Sequence, residues 1–429
     1  MPAGAVAVLA TAPEVPRNAD SDYPYRHDSS FYYLTGFAEP ESVVVLVAAK
    51  GSMPARSILF CRQKNAEREI WDGFRYGPEA ARDTYGFDEA YAIDDIDSEL
   101  PKLLANAPAL YCPLAHSAGF DTRIKLWMDK VRGLSRTGIT APASVHDLLV
   151  LLDEMRLFKD DHEQALMQRA ADISGRAHER AMRATRPGMF EYEIEAELLY
   201  EFRRSGAQSP AYSSIVASGA HACVLHYNAN NARMRDGDLV LIDAGCEFDS
   251  YASDITRTWP VNGRFSEPQK QLYELVLAAQ SAALAAIAPG QRYSSIHDAA
   301  LKVLAQGMLD VGLLDKSRFG SVDDVISERA FAQFYMHGTG HWLGLDVHDA
   351  GAYRDVTQDE RPSRILQPGM ALTVEPGIYV RPAPGVPEQF WNIGIRIEDD
   401  VVVTDAGYMI LSGAAPKLVA DIEKAMRHE

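Results

Sequence analysis

Two aspartates eleven positions apart end one apolar run and open another. In the stretch Asp238 to Pro260, DLVLIDAGCEFDSYASDITRTWP, the run Leu239 to Ile242 closes on Asp243. Asp254 then opens ITRTWPV after a polar, glycine-containing turn, so the two runs read as strands that aim two acids at one place. Side chains alternate along a strand, which puts Leu239, Leu241 and Asp243 on one face, and a charge on a buried face needs a partner or a metal. Taken singly, either acid reads as a carboxylate paired with an arginine. His341, Glu375 and Glu398 further along the chain supply what a larger site would need.

In MHGTGHWLGLDVHD, residues 336–349, His337 and His341 are four apart, but Gly338, Gly340 and Gly344 argue against a helix that would present both. No HExxH is present, which removes a helical zinc-protease site, and the glycine spacing does not fit a dinucleotide loop. The glycines read as places where backbone approaches a crowded site, with histidines as ligands and neighbouring donors. ALTVEPG puts Ala371, Thr373 and Glu375 on one strand face; in IGIRIED, Gly394, Arg396 and Glu398 oppose three isoleucines. Arg396 and Glu398 alone would be a surface ladder pair. With Asp243, Asp254 and His341, the glutamates complete four carboxylates and one imidazole. Oxygen-rich donors with one nitrogen and no sulfur favour Mn, Mg, Fe or Co over structural zinc, and four carboxylates exceed what one divalent ion needs. Two ions sharing carboxylates would balance the charge and acidify a bound water.

These residues need a scaffold. Residues 1–152 read as an α/β domain, with an opening strand Val6 to Ala10 and buried strands in VVVLVAA (Val43 to Ala49) and SILFC (Ser57 to Cys61). Phe31, Tyr32 and Tyr33 read as core aromatics. After a boundary near Pro142, residues 153–429 open with a helix from about Asp160 to Ala184, stopped by Thr185-Arg186-Pro187-Gly188, and a second from Tyr192 to Ser205. Helix, Pro-Gly, helix recurs at Pro268 to Ala288 and Ser294 to Gly312, which suggests two related halves. Beyond Glu328 the chain turns β-rich.

The totals narrow the function. A net charge of −18 without a Lys/Arg cluster argues against nucleic acid as partner. No apolar run is long enough for a bilayer, and the N-terminus lacks the basic start of a signal peptide. Cys61, Cys112, Cys223 and Cys246 lie far apart without a CxxC, as expected of reduced thiols in the cytoplasm.

LIDAGCEFDSYASDITRTWPV, MHGTGHWLGLDVHD, LTVEPGIY and GIRIEDD closely resemble the bacterial Xaa-Pro aminopeptidases, metallopeptidases of the pita-bread fold. NADSDYPYRHDSSFYYLTGFAEPE and VLHYNANNARMRDGDLVLIDAG extend the likeness over nearly the whole chain. The resemblance implies Asp243 as terminal ligand of one ion, Asp254 and Glu398 as bridging ligands, and His341 and Glu375 as ligands of the other. The ions would most readily be Mn²⁺, with Co²⁺, Fe²⁺ or Zn²⁺ as alternatives. Glu375 would also move protons, and His226, His337 and His348 would orient substrate and stabilise the tetrahedral intermediate. Tyr353 and Arg396 would receive the proline ring, and Trp71 would reach a neighbouring subunit's site in a tetramer or else pack as an ordinary aromatic. The segment RDVTQDERPSR between Tyr353 and Ile365 is longer than the family's, so no substrate-gating role carries over to Arg361. The implied activity is release of the residue before proline from peptides. Prolidase shares the same ligands, whereas a non-catalytic binding module or a metal-independent creatinase-like hydrolase would be expected to lack some of them.

Overall fold

The valine-rich runs near the N-terminus form one mixed sheet in the computed structural model, which describes residues 1–115 and 117–427. Its strands are β1 (Val6–Ala10), β2 (Val43–Val47), β3 (Arg56–Cys61), β4 (Glu89–Ala92), β5 (Ala109–Cys112) and β6 (Ser144–Asp147), in the order β4-β3-β2-β1-β5-β6. The adjacent strands β1, β2 and β3 pair antiparallel, and the other pairs are parallel. Of the three aromatics expected in this core, Phe31 is fully buried. Tyr32 is only part-buried and stacks on His27 at 4.1 Å, while the Tyr33 hydroxyl reaches the Met155 carbonyl. The chain divides into two compact units after Met155.

The second unit starts with a capping box. The Asp160 carboxylate accepts the His162 and Glu163 N–H groups and Glu163 takes the Asp160 N–H, which fixes the start of α1 (Asp161–Ala184). Gly188, at φ 93°, turns the chain into α2 (Glu191–Arg204), and α1 packs on α2. The same plan recurs in α3 (Glu267–Ala285) and α4 (Ser294–Asp310), which pack together. α3 ends before the expected Ala288 because the residue ahead of Pro289 disfavours helical backbone. α4 ends at Asp310, with Gly312 left-handed just beyond.

Strands β7 (Ile215–Ser218), β8 (Leu239–Asp243) and β9 (Thr256–Pro260) form one antiparallel sheet, with Asp243 opposite Thr256. In the C-terminal half, β10 (Ala371–Val374) pairs with β13 (Asp399–Thr404), and β13 with β14 (Gly407–Ile410); β11 (Gly377–Val380) and β12 (Ile393–Arg396) pair as a hairpin. The expected strand faces therefore need correction. β10 stops at Val374, ahead of Pro376, so Glu375 lies at the junction with β11, and Glu398 lies at the junction of β12 and β13. Arg396 and Glu398 are also no surface pair: they are 4% and 2% exposed. Among the described residues, no helix is long and apolar enough to cross a membrane.

Candidate metal centre

The site depends on two close backbone approaches. A Cβ on Gly245 would lie 1.7 Å from the Ser253 carbonyl oxygen, so only glycine lets the segments carrying Asp243 and Asp254 meet. A Cβ on Gly340 would lie 2.0 Å from the Thr373 carbonyl oxygen. Without it the loop lies against β10: the Thr373 N–H donates to the His341 carbonyl at 2.9 Å, and the His341 N–H donates to Thr373 Oγ1 at 3.2 Å. A Cβ on Gly338 would meet only the Gly340 carbonyl oxygen, at an ordinary contact distance of 4.0 Å, so crowding does not explain all three glycines.

Asp243, Asp254, His341, Glu375 and Glu398 all line one cavity of about 230 Å³, together with His226, His337, His348 and Arg396. Ligand atoms of Asp254, His341 and Glu398 lie within 4.8 Å of one another. His341 Nε2 is 3.3 Å from Asp254 Oδ2 and 3.9 Å from Glu375 Oε1, while its Nδ1 donates to the Trp342 carbonyl at 2.9 Å. That bond fixes the tautomer, so the nitrogen turned toward the acids is the one able to bind a cation.

The charge balance tests whether a metal fits. Four carboxylates converge, and the cations facing them are Arg396, whose Nη2 is 2.6 Å from Asp243 Oδ2, and the His341 ring. Burial, then the charge of Asp254, pushes Asp243 up to about 6. Burial outweighs the nearby cations and pushes Glu375 up to about 7, and burial with Asp254 beside it holds Glu398 well above the carboxylate range. Burial alone would lower His341, yet Asp254 holds it protonated, up to about 9. Tyr212 donates its one phenolic hydrogen to Asp243 and Asp254, and a single hydrogen cannot satisfy both. Protons here stand where cations would restore the balance, and the oxygen-rich donor set suits hard or borderline divalent ions.

Outside the ligands, Thr256 Oγ1 donates to Glu398 at 2.7 Å and accepts from Arg396 Nε at 3.0 Å. The Tyr379 hydroxyl meets His337 Nε2 at 2.8 Å and Arg396 Nη1 at 3.0 Å. The His348 ring lies 4.2 Å from that of His341. Burial holds His337 neutral, down to about 3. Asp400 accepts the backbone N–H of Asp254, and the fully buried ion pair of Arg257 and Asp399, at 2.7 Å, braces the strand just beyond Glu398. Tyr212, Thr256 and Tyr379 were not singled out in the sequence; their one signal is that each sits near an acid of the site once the strands are paired.

The remaining expected residues lie elsewhere. The Tyr353 hydroxyl accepts the Trp342 N–H at 3.0 Å and its ring stacks on Trp342, so it borders a neighbouring, larger cavity. Trp71 is 81% exposed and does not pack as a core aromatic. Arg361 is exposed, and its carbonyl accepts from Arg354.

A dinuclear-type carboxylate site in a fold of paired helices and antiparallel strands defines a metal-dependent hydrolase class. Residues 165–405 match metallopeptidase family M24, and residues 1–111 match the aminopeptidase P N-terminal domain. The Xaa-Pro aminopeptidase of Escherichia coli (strain K12) is 45% identical over 426 residues, covering 99% of this chain and 94% of that protein. Rattus norvegicus Xaa-Pro aminopeptidase 3 is 38% identical over 94% of this chain and 77% of its own length. Among solved structures, Pseudomonas aeruginosa aminopeptidase PepP superposes with a TM-score of 0.95 at 49% identity, covering 99% of this chain and 94% of that one. The zinc-substituted E. coli aminopeptidase P in complex with product gives 0.95 at 45% identity, covering 100% and 96%. The chain belongs to metallopeptidase family M24, with an α/β aminopeptidase P N-terminal domain ahead of an α+β pita-bread unit.

Proposed function

We propose that this chain is an Xaa-Pro aminopeptidase that uses two divalent ions to release the N-terminal residue from peptides with proline second. The carrying observation is the convergence of all five candidate ligands in one cavity, in a chain so similar to such aminopeptidases along its length. That likeness favours the aminopeptidase over prolidase, and the full ligand set disfavours both a binding module and a metal-independent hydrolase.

In this reading Asp243, Asp254, His341, Glu375 and Glu398 would hold the ions. Bound there, the ions would supply an acidified water and polarisation of the carbonyl before proline. Arg396, which lines the same cavity, keeps Asp243 turned inward, and with Tyr353 it would receive the proline ring. His226, His337 and His348 orient the peptide, and Glu375, 3.7 Å from His337 Nδ1, takes a proton from the water whose oxygen bonds the carbonyl carbon and passes it to the leaving proline nitrogen as the C–N bond breaks. An Xaa-Pro bond has no N–H, so peptidases that read an extended backbone miss it and a shaped ring pocket selects it.

Mn²⁺ is the proposed ion, the cytoplasm the proposed compartment, and residues 1–152 and 153–429 the working domains. The four buried free thiols suit a reducing compartment. Exposed Trp71, with Ile70 and Phe74 beside it, supports a homo-oligomer, a tetramer by resemblance, in which this face is covered. Asp254→Ala and Glu398→Ala should each abolish turnover and lower the metal bound per chain while the far-ultraviolet spectrum stays unchanged. A variant with full metal content and most of its activity would overturn the assignment.

A further inference from the structure

The cavity bordering the metal centre differs from it in charge. It measures about 610 Å³ and shares His337, Gly338 and Gly340 with the carboxylate-lined cavity. That size is in the range that encloses a drug-sized ligand, well beyond one side chain. Among its lining residues are Arg329 and Arg354, and no aspartate or glutamate is there, although acids outnumber bases in the chain by 60 to 42. Among the described residues neither arginine forms an ion pair. Arg354 donates to the Arg361 carbonyl at 3.1 Å, and Arg329, held at φ 54° just before the chain that leads to His337, has only the Phe331 ring, 5.8 Å away. Two guanidinium groups thus face a cavity with no anion of the protein's own.

On the proposed activity, a substrate has one residue and a cationic α-amine on one side of the cleaved bond and all its remaining residues on the other. A large cavity holding two arginines repels the amine and exceeds one residue in size, so its place is with the leaving peptide. We infer that Arg329 and Arg354 receive a carboxylate of the peptide downstream of proline, favouring substrates that carry one close to the proline. Arginine suits the task because its planar fork pairs with a carboxylate through two parallel N–H bonds. The carboxylate could be the free C-terminus of a tripeptide or an acidic side chain in third place, and both present the same group.

This inference rests on the aminopeptidase reading, and the test separates the two. The metal-loaded full chain and the Arg329→Gln/Arg354→Gln double variant are assayed at low salt on Ala-Pro-Ala and its C-terminal amide, and on Ala-Pro-Glu-amide and Ala-Pro-Gln-amide. Both arginines are exposed, so the substitutions leave the core intact. Wild type should favour the carboxylate-bearing member of at least one pair by about fivefold in kcat/KM, mostly through KM, and the double variant should bring that ratio near one. Discrimination in the first pair assigns the terminal carboxylate, and in the second the acidic side chain. Ratios unchanged by the substitutions overturn the inference and leave the activity standing. No cleavage of any of the four by wild type overturns both.

Discussion

At the residue scale, the five candidate ligands were legible because each is a charge, or a histidine between glycines, where an apolar or β-rich pattern leaves no reason for one. Their neighbours were not. Tyr212, Thr256 and Tyr379 are ordinary residues of strands and loops, and only strand pairing brings their hydroxyls to Asp243, Glu398 and His337. Arg396 was legible as a site residue, but its bond to Asp243 needed the register of β12. Groups that orient metal ligands typically matter about 10- to 100-fold in affinity or activity. Tyr212→Phe should therefore weaken metal binding by about that factor, read by titration calorimetry of the stripped chain. Unchanged affinity would show that the hydroxyl only fills space.

At the element scale, the starts of α1 to α4 fall within a residue of their expected positions, whereas α3 and α4 end early because proline and glycine act a residue or two before they appear. The strand limits around Glu375 and Glu398 escaped the sequence for another reason: alternation carries on in sequence where the chain passes from one sheet to another. The junction at Glu398 leans on the buried pair of Arg257 and Asp399, joined by Lys417. Asp399→Asn leaves the buried Arg257 and the half-buried Lys417 short of their counter-charge and should cost about 3–5 kcal/mol, seen as a lower urea midpoint. A midpoint within error of wild type would mean that the strand is held by packing alone. Helix α1 carries a second test. His178 is fully buried, its Nε2 donates to the Ala244 carbonyl at 2.9 Å, and burial lowers its pKa from 6.5 to about 4. Between those values the unfolded chain binds a proton that the folded one refuses. The stability supplied by the neutral ring is complete above pH 6.5 and is lost as pH falls toward 4, at about 1.4 kcal/mol per pH unit. His178→Gln should remove that slope from the urea midpoints across this window; an identical slope in both proteins would mean that the ring titrates normally.

At the scale of the whole molecule, the doubled helix-pair plan was visible as repeated Pro-Gly punctuation. The charge contrast between neighbouring cavities was not, since Arg329 and Arg354 stand apart in sequence and meet the site only through the fold. A crowd of buried carboxylates makes the folded state dependent on its cations. Stripping the metal should lower the melting temperature, and restoring a divalent ion at a hundredfold excess over its Kd should return about 2.7 kcal/mol. A melting curve indifferent to chelator and ion would argue that the protons in the site suffice.

The central claim is tested most directly by following product release from matched Xaa-Pro and Xaa-Pro-Xaa peptides, using metal-stripped enzyme before and after Mn²⁺ is added back. The expected result is cleavage of the tripeptide to free Xaa and Pro-Xaa, faster than the dipeptide and only with metal present. Cleavage of the dipeptide alone, or equal turnover without metal, would contradict it.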